Sequence, residues 1–478
     1  MGQTAGNGAS RAWTTNRRNF LRMGAVLAGV PVLDGLLSAC GGSHKGSLPA
    51  GDASTKGGAT GAAPSSGGAQ TSGPKVTSLT IATAETPWLD GYKALISEYE
   101  KQTSVQVTLR SFPFAGLRTQ MITAVQNSNH AFDVLQINEQ WTGEFYNSGW
   151  VMPIKSIDSG FALDPQLITY QGVGSWDTTK KVTSDTGTLY ALPINGNAQI
   201  YYYRKDIFNE LGVSPPKTFD DAIKIGKQAK SAGKAKYGYV LRGTNTVSFT
   251  FSPILNGYGG DWFVNAGTDW TPRINDDIGV QAMQTYLELL ALGPQPAQTV
   301  AQSQVGAAMQ SGQALQGHSV AALGGQFEDP QKSRVAGKLG YAAMPAGSKR
   351  SAPGTGTWVL GVPAHADPAR AKAALDFITW LVGKTPMTEW AEQHGGIPTR
   401  QDALQSAATT QGNAYLGALA DEHSDYVAGF RYTFAAEMIQ AIEPPLANIV
   451  SGGTPVKKGL DAVASAMAKV VKDAGIGS

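Results

Sequence analysis

The residue types that carry chemistry are distributed along this chain in a way that excludes most reactions. Six histidines stand at 44, 130, 318, 365, 394 and 423 with no His-Glu-x-x-His spacing among them, so no zinc-hydrolase motif is present. Gly312 and Gly317 are followed by His318-Ser319, and a phosphate-cradling loop needs a lysine there. Gly354-Thr355-Gly356 lacks the third glycine of a dinucleotide fingerprint, and no Gly-x-Ser-x-Gly elbow occurs. The single cysteine, Cys40, excludes an internal disulfide framework and a cysteine metal cluster. No metal or cofactor is expected. What remains is a series of aromatic and planar-polar residues: Glu85 and Trp88, Glu139 and Trp141, Asn195 and Asn197, Tyr201, Trp262, Gln326 and Phe327, Gly356 and Trp358, and Arg431. Flat rings cover the apolar C–H faces of a sugar, and side chains with paired polar atoms meet its adjacent hydroxyls. A glycosidase would need only two carboxylates at the right separation, which sequence does not measure.

Such residues need elements that end beside one another. Ser78 to Thr83 reads as a first strand, and Leu89 to Lys101 as a helix with Tyr92, Leu95, Ile96 and Tyr99 on one face. Val105, Val107 and Leu109 alternate as a second strand, Ala115 to Gln126 is helical, and Phe132 to Ile137 is a third strand. This alternation predicts an α/β fold with a parallel sheet and crossover helices. Glu85, Trp88, Glu139 and Trp141 fall just past strands, and open α/β sheets bind ligands outside the carboxyl ends of their strands.

From Thr186 to Asp221 a turn and a short apolar rise break at Asn195-Gly196-Asn197 before an aromatic strand, Ile200 to Tyr203. Side chains alternate there, so at most two of Tyr201, Tyr202 and Tyr203 face a cleft and the rest pack. Pro215-Pro216 ends a short helix, and Thr218 with Asp221 forms a capping box for the next. A second set follows: a helix from Asp220 to Ser231, a strand from Tyr237 to Leu241, and an aromatic stretch from Phe249 ending Gly259-Gly260-Asp261-Trp262. A helix from Asp277 to Leu292 comes next. Asp367 and Pro368 open a further helix as N-cap and first residue, and Phe434 to Val450 and Val456 to Asp473 close the chain as helices. Trp262, flanked by Gly259-Gly260-Asp261, suits a cleft. Trp141, Trp358 and Arg431 fit a binding face and a core equally well.

The segment from Leu189 to Asp221 resembles the signature of family 1 extracellular solute-binding proteins, the maltose-binding-protein-like receptors of ABC importers. Their pattern runs Tyr-x-Leu-Pro, Tyr-Tyr-Asn-Lys-Asp, then Pro-Pro-x-Thr-Trp-x-Glu. Here Arg204 replaces the Asn, Phe219 the Trp and Asp221 the Glu. Further segments match in order: Asp133 to Ile137, Gly354 to Val362, and Gly395-Gly396-Ile397-Pro398-Thr399-Arg400. The resemblance covers nearly all of residues 76–478, through several spaced motifs. It implies a two-lobe, type II periplasmic-binding-protein-like fold with lobes discontinuous in sequence. Residues 76–200 and 355–398 would form one lobe, 201–354 and 399–478 the other, joined by crossing hinge strands. It also implies a non-enzymatic, monomeric substrate-binding protein that captures a sugar or polyol by hinge closure and delivers it to the transmembrane subunits of a permease. Arg431 stands where the family places a polar residue in the cleft. Two alternatives stay open: a receptor for ferric ion, polyamine or peptide, and a lipid-anchored carbohydrate-active enzyme.

The first forty residues read as an address. Asn16 to Arg22, with Arg17-Arg18, resembles the twin-arginine export motif, and an apolar run from Met23 to Leu37 follows. Leu37-Ser38-Ala39-Cys40-Gly41 matches the lipobox of bacterial lipoproteins, so residues 1–39 are expected to be a signal peptide and Cys40 the acylated residue. Residues 40–75 are dominated by Gly, Ser, Ala, Thr and Pro and should form a flexible tether. An exported protein, lipid-anchored at the outer face of the cytoplasmic membrane, is expected. Four arginines against Asp34 give the segment before Cys40 a charge of +3, so the rest carries −1 of the net +2. A near-neutral body offers no electrostatic basis for binding nucleic acid.

Overall fold

The computed structural model describes residues 75–476 apart from Pro87, Asn129, Asn245 and Gln411. Arg17, Arg18 and Cys40, the segment 1–39 and almost all of 40–75 lie outside the described residues.

The first strand, Ser78–Ala84, pairs in parallel with Gln106–Phe112 on one side and Val134–Asn138 on the other. The helix Leu89–Thr103 between the first two covers the sheet, with Tyr92, Leu95, Ile96 and Tyr99 buried as the spacing predicts. Trp358–Gly361 and Ala191–Asn195 complete a five-stranded sheet. The expected all-parallel sheet is therefore mixed. Only Trp358–Gly361 runs against its neighbours, because the chain re-enters where Val134–Asn138 and Ala191–Asn195 finish.

Past Asn195 the chain crosses into a second sheet. A Cβ at Gly196 would lie 1.9 Å from the Tyr170 hydroxyl, so the break admits no side chain. Gln199–Arg204 then pairs antiparallel with Gln316–Val320 and Leu339–Ala342. Its side chains alternate between two cores. Tyr202 packs edge-on against Phe327 at 5.0 Å, while Tyr201 and Tyr203 stack at 5.8 Å on the other face. The expected strand at Tyr237–Leu241 makes only isolated bridges, Tyr237 to Ala314 and Val240 to Gly317. There Gly238 lies so close to Gly226 of the helix Phe219–Ser231 that a Cβ would come 2.5 Å from the Gly226 carbonyl oxygen. That helix carries the expected capping box, with Thr218 accepting from the Asp221 amide at 3.1 Å.

The helices Val247–Gly257, Asp277–Ala291, Ala435–Val450 and Val456–Asp473 enclose the second core, around Phe251, Ile254, Tyr286, Met438, Ile442, Leu460 and Met467. No helix among the described residues is long and apolar enough to cross a membrane.

Candidate functional site

A cavity of about 310 Å³ opens where the crossing segments meet the helix Val247–Gly257 and the segment Val427 to Tyr432. Three features of local sequence build its walls. Glu139 is the first residue of the helix Glu139–Asn147, whose N-cap Asn138 accepts from the Gln140 amide at 3.2 Å. A carboxylate at that helix end is favoured by the helix dipole. Ser248, Ser252 and Asn256, four residues apart, share one face of Val247–Gly257 and line the cavity with Phe249. Gly259, at φ +83°, then turns the chain, and Asn256 Nδ2 donates to the Gly260 carbonyl at 2.9 Å. The turn delivers Asp261 and Trp262 to the wall. Trp262 Nε1 donates to Ser252 Oγ at 2.9 Å, and its ring meets Phe430 edge to face at 5.1 Å.

The entry of the helix Val247–Gly257 is held from a distance. Thr246 makes no side-chain cap; instead Glu443 accepts the amides of Val247 and Ser248, each at 3.0 Å, and the Ser248 hydroxyl at 2.6 Å. This carboxylate ties the cavity's helical wall to the helix Ala435–Val450.

A buried ionic cluster forms the other wall. Arg431 Nη2 and Nε donate to Glu139 Oε2 at 2.5 and 3.2 Å, with both side chains 2% exposed. Arg431 Nη2 also donates to Thr355 Oγ1 at 2.7 Å, the Thr355 hydroxyl donates to Glu139 Oε2 at 2.8 Å, and Arg431 Nη1 donates to the Tyr170 carbonyl. One interaction set thus joins the first sheet's helix, the return crossing and the C-terminal segment. Asp261, by contrast, makes no ion pair among the described residues within 4 Å. Burial by surrounding protein raises its carboxyl above the usual range, although the residue is open to the cavity; the Trp262 amide, Arg273 and Arg350 oppose the shift. Burial, with Asp261 nearby, also raises the Tyr432 hydroxyl well above its ordinary value.

A model described as bacterial extracellular solute-binding protein matches residues 83–387. The chain belongs to that family. Among curated relatives, a mannitol-binding protein of Pseudomonas aeruginosa is 27% identical over 312 residues, 63% of this chain and 67% of that one. An erythritol/L-threitol-binding protein of Mycolicibacterium smegmatis is 22% identical over 440 residues, 89% and 88% of the two chains. An ABC transporter solute-binding protein from Agrobacterium radiobacter, solved in complex with ribitol, superposes with a TM-score of 0.70 at 20% identity, covering 83% of this chain and 99% of that one. A counterpart from Agrobacterium vitis with bound D-mannitol gives 0.68 at 22%, covering 84% and 100%. The fold is the two-lobe, type II periplasmic-binding-protein-like architecture of these solute-binding proteins.

Within this solute-binding fold the residues singled out by sequence separate into groups. Glu139, Trp262 and Arg431 line the cavity together. Gly356 and Asn197 adjoin it at the crossing: the Gly356 amide donates to the Asn197 carbonyl at 2.7 Å, and a Cβ at Gly356 would lie 3.7 Å from the Phe249 ring. Trp141 and Trp358 meet edge to face at 5.9 Å under the exposed ring of Phe114. Trp88 is packed between Tyr92 and Trp390 in the first core. Asn195 is fully buried, Phe327 packs on Tyr202, and Tyr201 donates to Gln316 Oε1 at 2.5 Å. Gln326 is half-buried, with its carbonyl accepting from Gln310 Nε2, and Glu85 is exposed. These eight do not line the cavity.

Ser248, Phe249, Ser252, Asn256, Asp261, Thr355, Phe430 and Tyr432 also line the cavity and are not among the candidates that the sequence marks. The polar stripe Ser248, Ser252, Asn256 in an otherwise apolar stretch was the signal available for the helix.

Proposed function

We propose that this chain is the substrate-binding component of an ABC importer and captures a sugar or polyol without changing it. The observation that carries this reading is the make-up of the cavity. Trp262 and Phe430 stand edge to face, with Phe249 and Tyr432, beside the carboxylates of Glu139 and Asp261. Rings for C–H faces and carboxylates for hydroxyls are what a polyhydroxylated ligand requires. The names of the mannitol- and erythritol/L-threitol-binding relatives support the same class. A volume of about 310 Å³ lies at the small end of ligand pockets and favours one monosaccharide-sized guest.

Capture works by hinge closure. The chain passes between the sheets at Asn195 to Gln199 and returns at Thr355 to Trp358, and these crossings are the hinge. On this reading the lobes divide near residues 200 and 355, with a further boundary near 398. The closed form of the monomer docks on the permease, and Arg17-Arg18 and Cys40 supply export and a lipid anchor. A diacyl anchor holds a protein at a membrane stably where a single chain does so marginally.

The test is calorimetric titration of the purified protein with hexitols, pentitols, mono- and disaccharides, amino acids and ferric citrate, backed by thermal shift. A polyol or sugar should bind with unit stoichiometry, raise the melting temperature by linkage, and be recovered intact. Binding confined to amino acids or ferric citrate, or released product after long incubation, would overturn the proposal.

A further inference from the structure

The cavity's hydrogen-bonding groups are unevenly divided. Several of its side-chain donors are engaged within the protein, Arg431 on Glu139, Thr355 and the Tyr170 carbonyl, and Thr355 on Glu139; Gln140, Thr183 and Tyr432 also line it. The Ser248 hydroxyl is held by Glu443, Ser252 donates to the Ser248 carbonyl at 2.7 Å, and the Trp262 indole donates to Ser252. The acceptors are less engaged. Arg431 and Thr355 converge on Glu139 Oε2, leaving Oε1 toward Gly429, where a Cβ would lie 3.1 Å away. Asp261 Oδ1 accepts the Trp262 amide at 2.7 Å, and its carboxylate has no ion-pair partner among the described residues. Among the lining residues two carboxylates stand against one guanidinium, a charge of −1, while Arg273 and Arg350 act on Asp261 from behind the lining.

We infer that the cavity selects hydrogen-bond donors and positive charge: among polyhydroxylated ligands it takes an amine-bearing one, an aminopolyol or amino sugar, ahead of its neutral parent, and rejects the corresponding acid. This rests on the proposed function and names the ligand class of that same site. An ammonium brings three donors and no acceptor, makes charge-assisted bonds to a carboxylate, and is attracted to the face of an indole such as Trp262. Bound beside Asp261, it offsets the desolvation that raises that carboxyl. A carboxylate guest brings acceptors only. It meets Glu139 and Asp261 with like charge, while Arg431 is already committed to Glu139.

The experiment compares three ligands that differ at one carbon, a hexitol, its 1-amino-1-deoxy analogue and the hexonate, by calorimetric titration of the full chain at neutral pH. The amine should bind about tenfold more tightly than the hexitol, and the hexonate at least about tenfold more weakly. Asp261→Asn should bring amine and hexitol to within about twofold of each other. If that variant fails to fold, added salt on the unsubstituted chain serves instead: the amine's advantage should shrink with ionic strength while hexitol affinity holds. Hexonate binding at hexitol strength or better would overturn the inference, as would an amine advantage that survives Asp261→Asn or high salt. If none of the three binds while another ligand class does, the polyhydroxylated-ligand reading falls and this inference with it.

Discussion

Arg431→Met isolates what the buried cluster contributes. Methionine keeps much of the length and the apolar stem but removes the guanidinium that donates to Glu139, Thr355 and the Tyr170 carbonyl. Glu139 would then hold a carboxylate 2% exposed, without its counter-charge. Removing one partner of a buried pair costs about 3–5 kcal/mol, because the other charge stays behind. For roughly 400 described residues, an unfolding entropy near 2.1 cal/mol/K per residue gives about 0.8 kcal/mol/K. A loss of about 4 kcal/mol therefore lowers the melting temperature by about 5 °C. The double variant Glu139→Gln/Arg431→Met removes both charges and should recover at least half of that loss, a coupling of about 2–3 kcal/mol in the double-mutant cycle. Scanning calorimetry without ligand, with urea midpoints at constant slope, reads both quantities. A single-variant cost below about 1 kcal/mol, or a double variant no better than the sum of the singles, would refute the view that this pair joins the three segments.

The other expectations concern the walls and the core. Glu443→Ala removes the acceptor of two amides and a hydroxyl at the start of the helix Val247–Gly257, and should cost about 2 kcal/mol in the urea midpoint; a change within error would show the helix entry to be held otherwise. Trp262→Leu keeps apolar bulk but loses the ring face, so affinity for a neutral polyol should fall about tenfold by calorimetry, and unchanged affinity would remove the ring from the site. His318 is fully buried against the Tyr239 hydroxyl at 2.8 Å, and burial lowers its pKa to about 4. Its folded value is below the unfolded one, so the unfolded chain protonates first; this contribution is whole above about pH 6.5 and is lost as pH falls toward 4. His318→Gln should flatten that part of the urea-midpoint profile, and an identical slope in both proteins would exclude His318 as its source.

Much of the fold was legible because its signals are local. Tyr92, Leu95, Ile96 and Tyr99 recur at helical spacing, and all four are buried. The Thr218–Asp221 capping box and the break at Asn195-Gly196-Asn197 stand where the sequence places them. The direction of the return strand was not legible, since it depends on the end at which the chain re-enters the sheet. Within the site, position past a strand indicates which end of the sheet a residue occupies but not how deep it lies. Glu139 and Trp88 both follow strands, yet one lines the cavity and the other packs against Tyr92 and Trp390.

What decides between such outcomes is the partner of the polar atom. Trp262 and Trp358 are the same residue type beside glycine-containing turns. Trp262 has its indole N–H held by Ser252, one turn along the helix from Ser248, and this bond sets its ring in the cavity wall. Trp358 meets Trp141 and Phe114 in edge-to-face contacts, and its ring joins an aromatic cluster outside the cavity. Glu139 and Arg431 extend the same point across 292 residues of sequence. Nothing near either residue in the chain announces the pairing, but once paired they fix Oε2 and leave Oε1 as the carboxylate edge toward Gly429 and the cavity. The ligand-facing chemistry of this site is set by which hydrogen bonds the protein has already completed, and that quantity exists only in the folded chain.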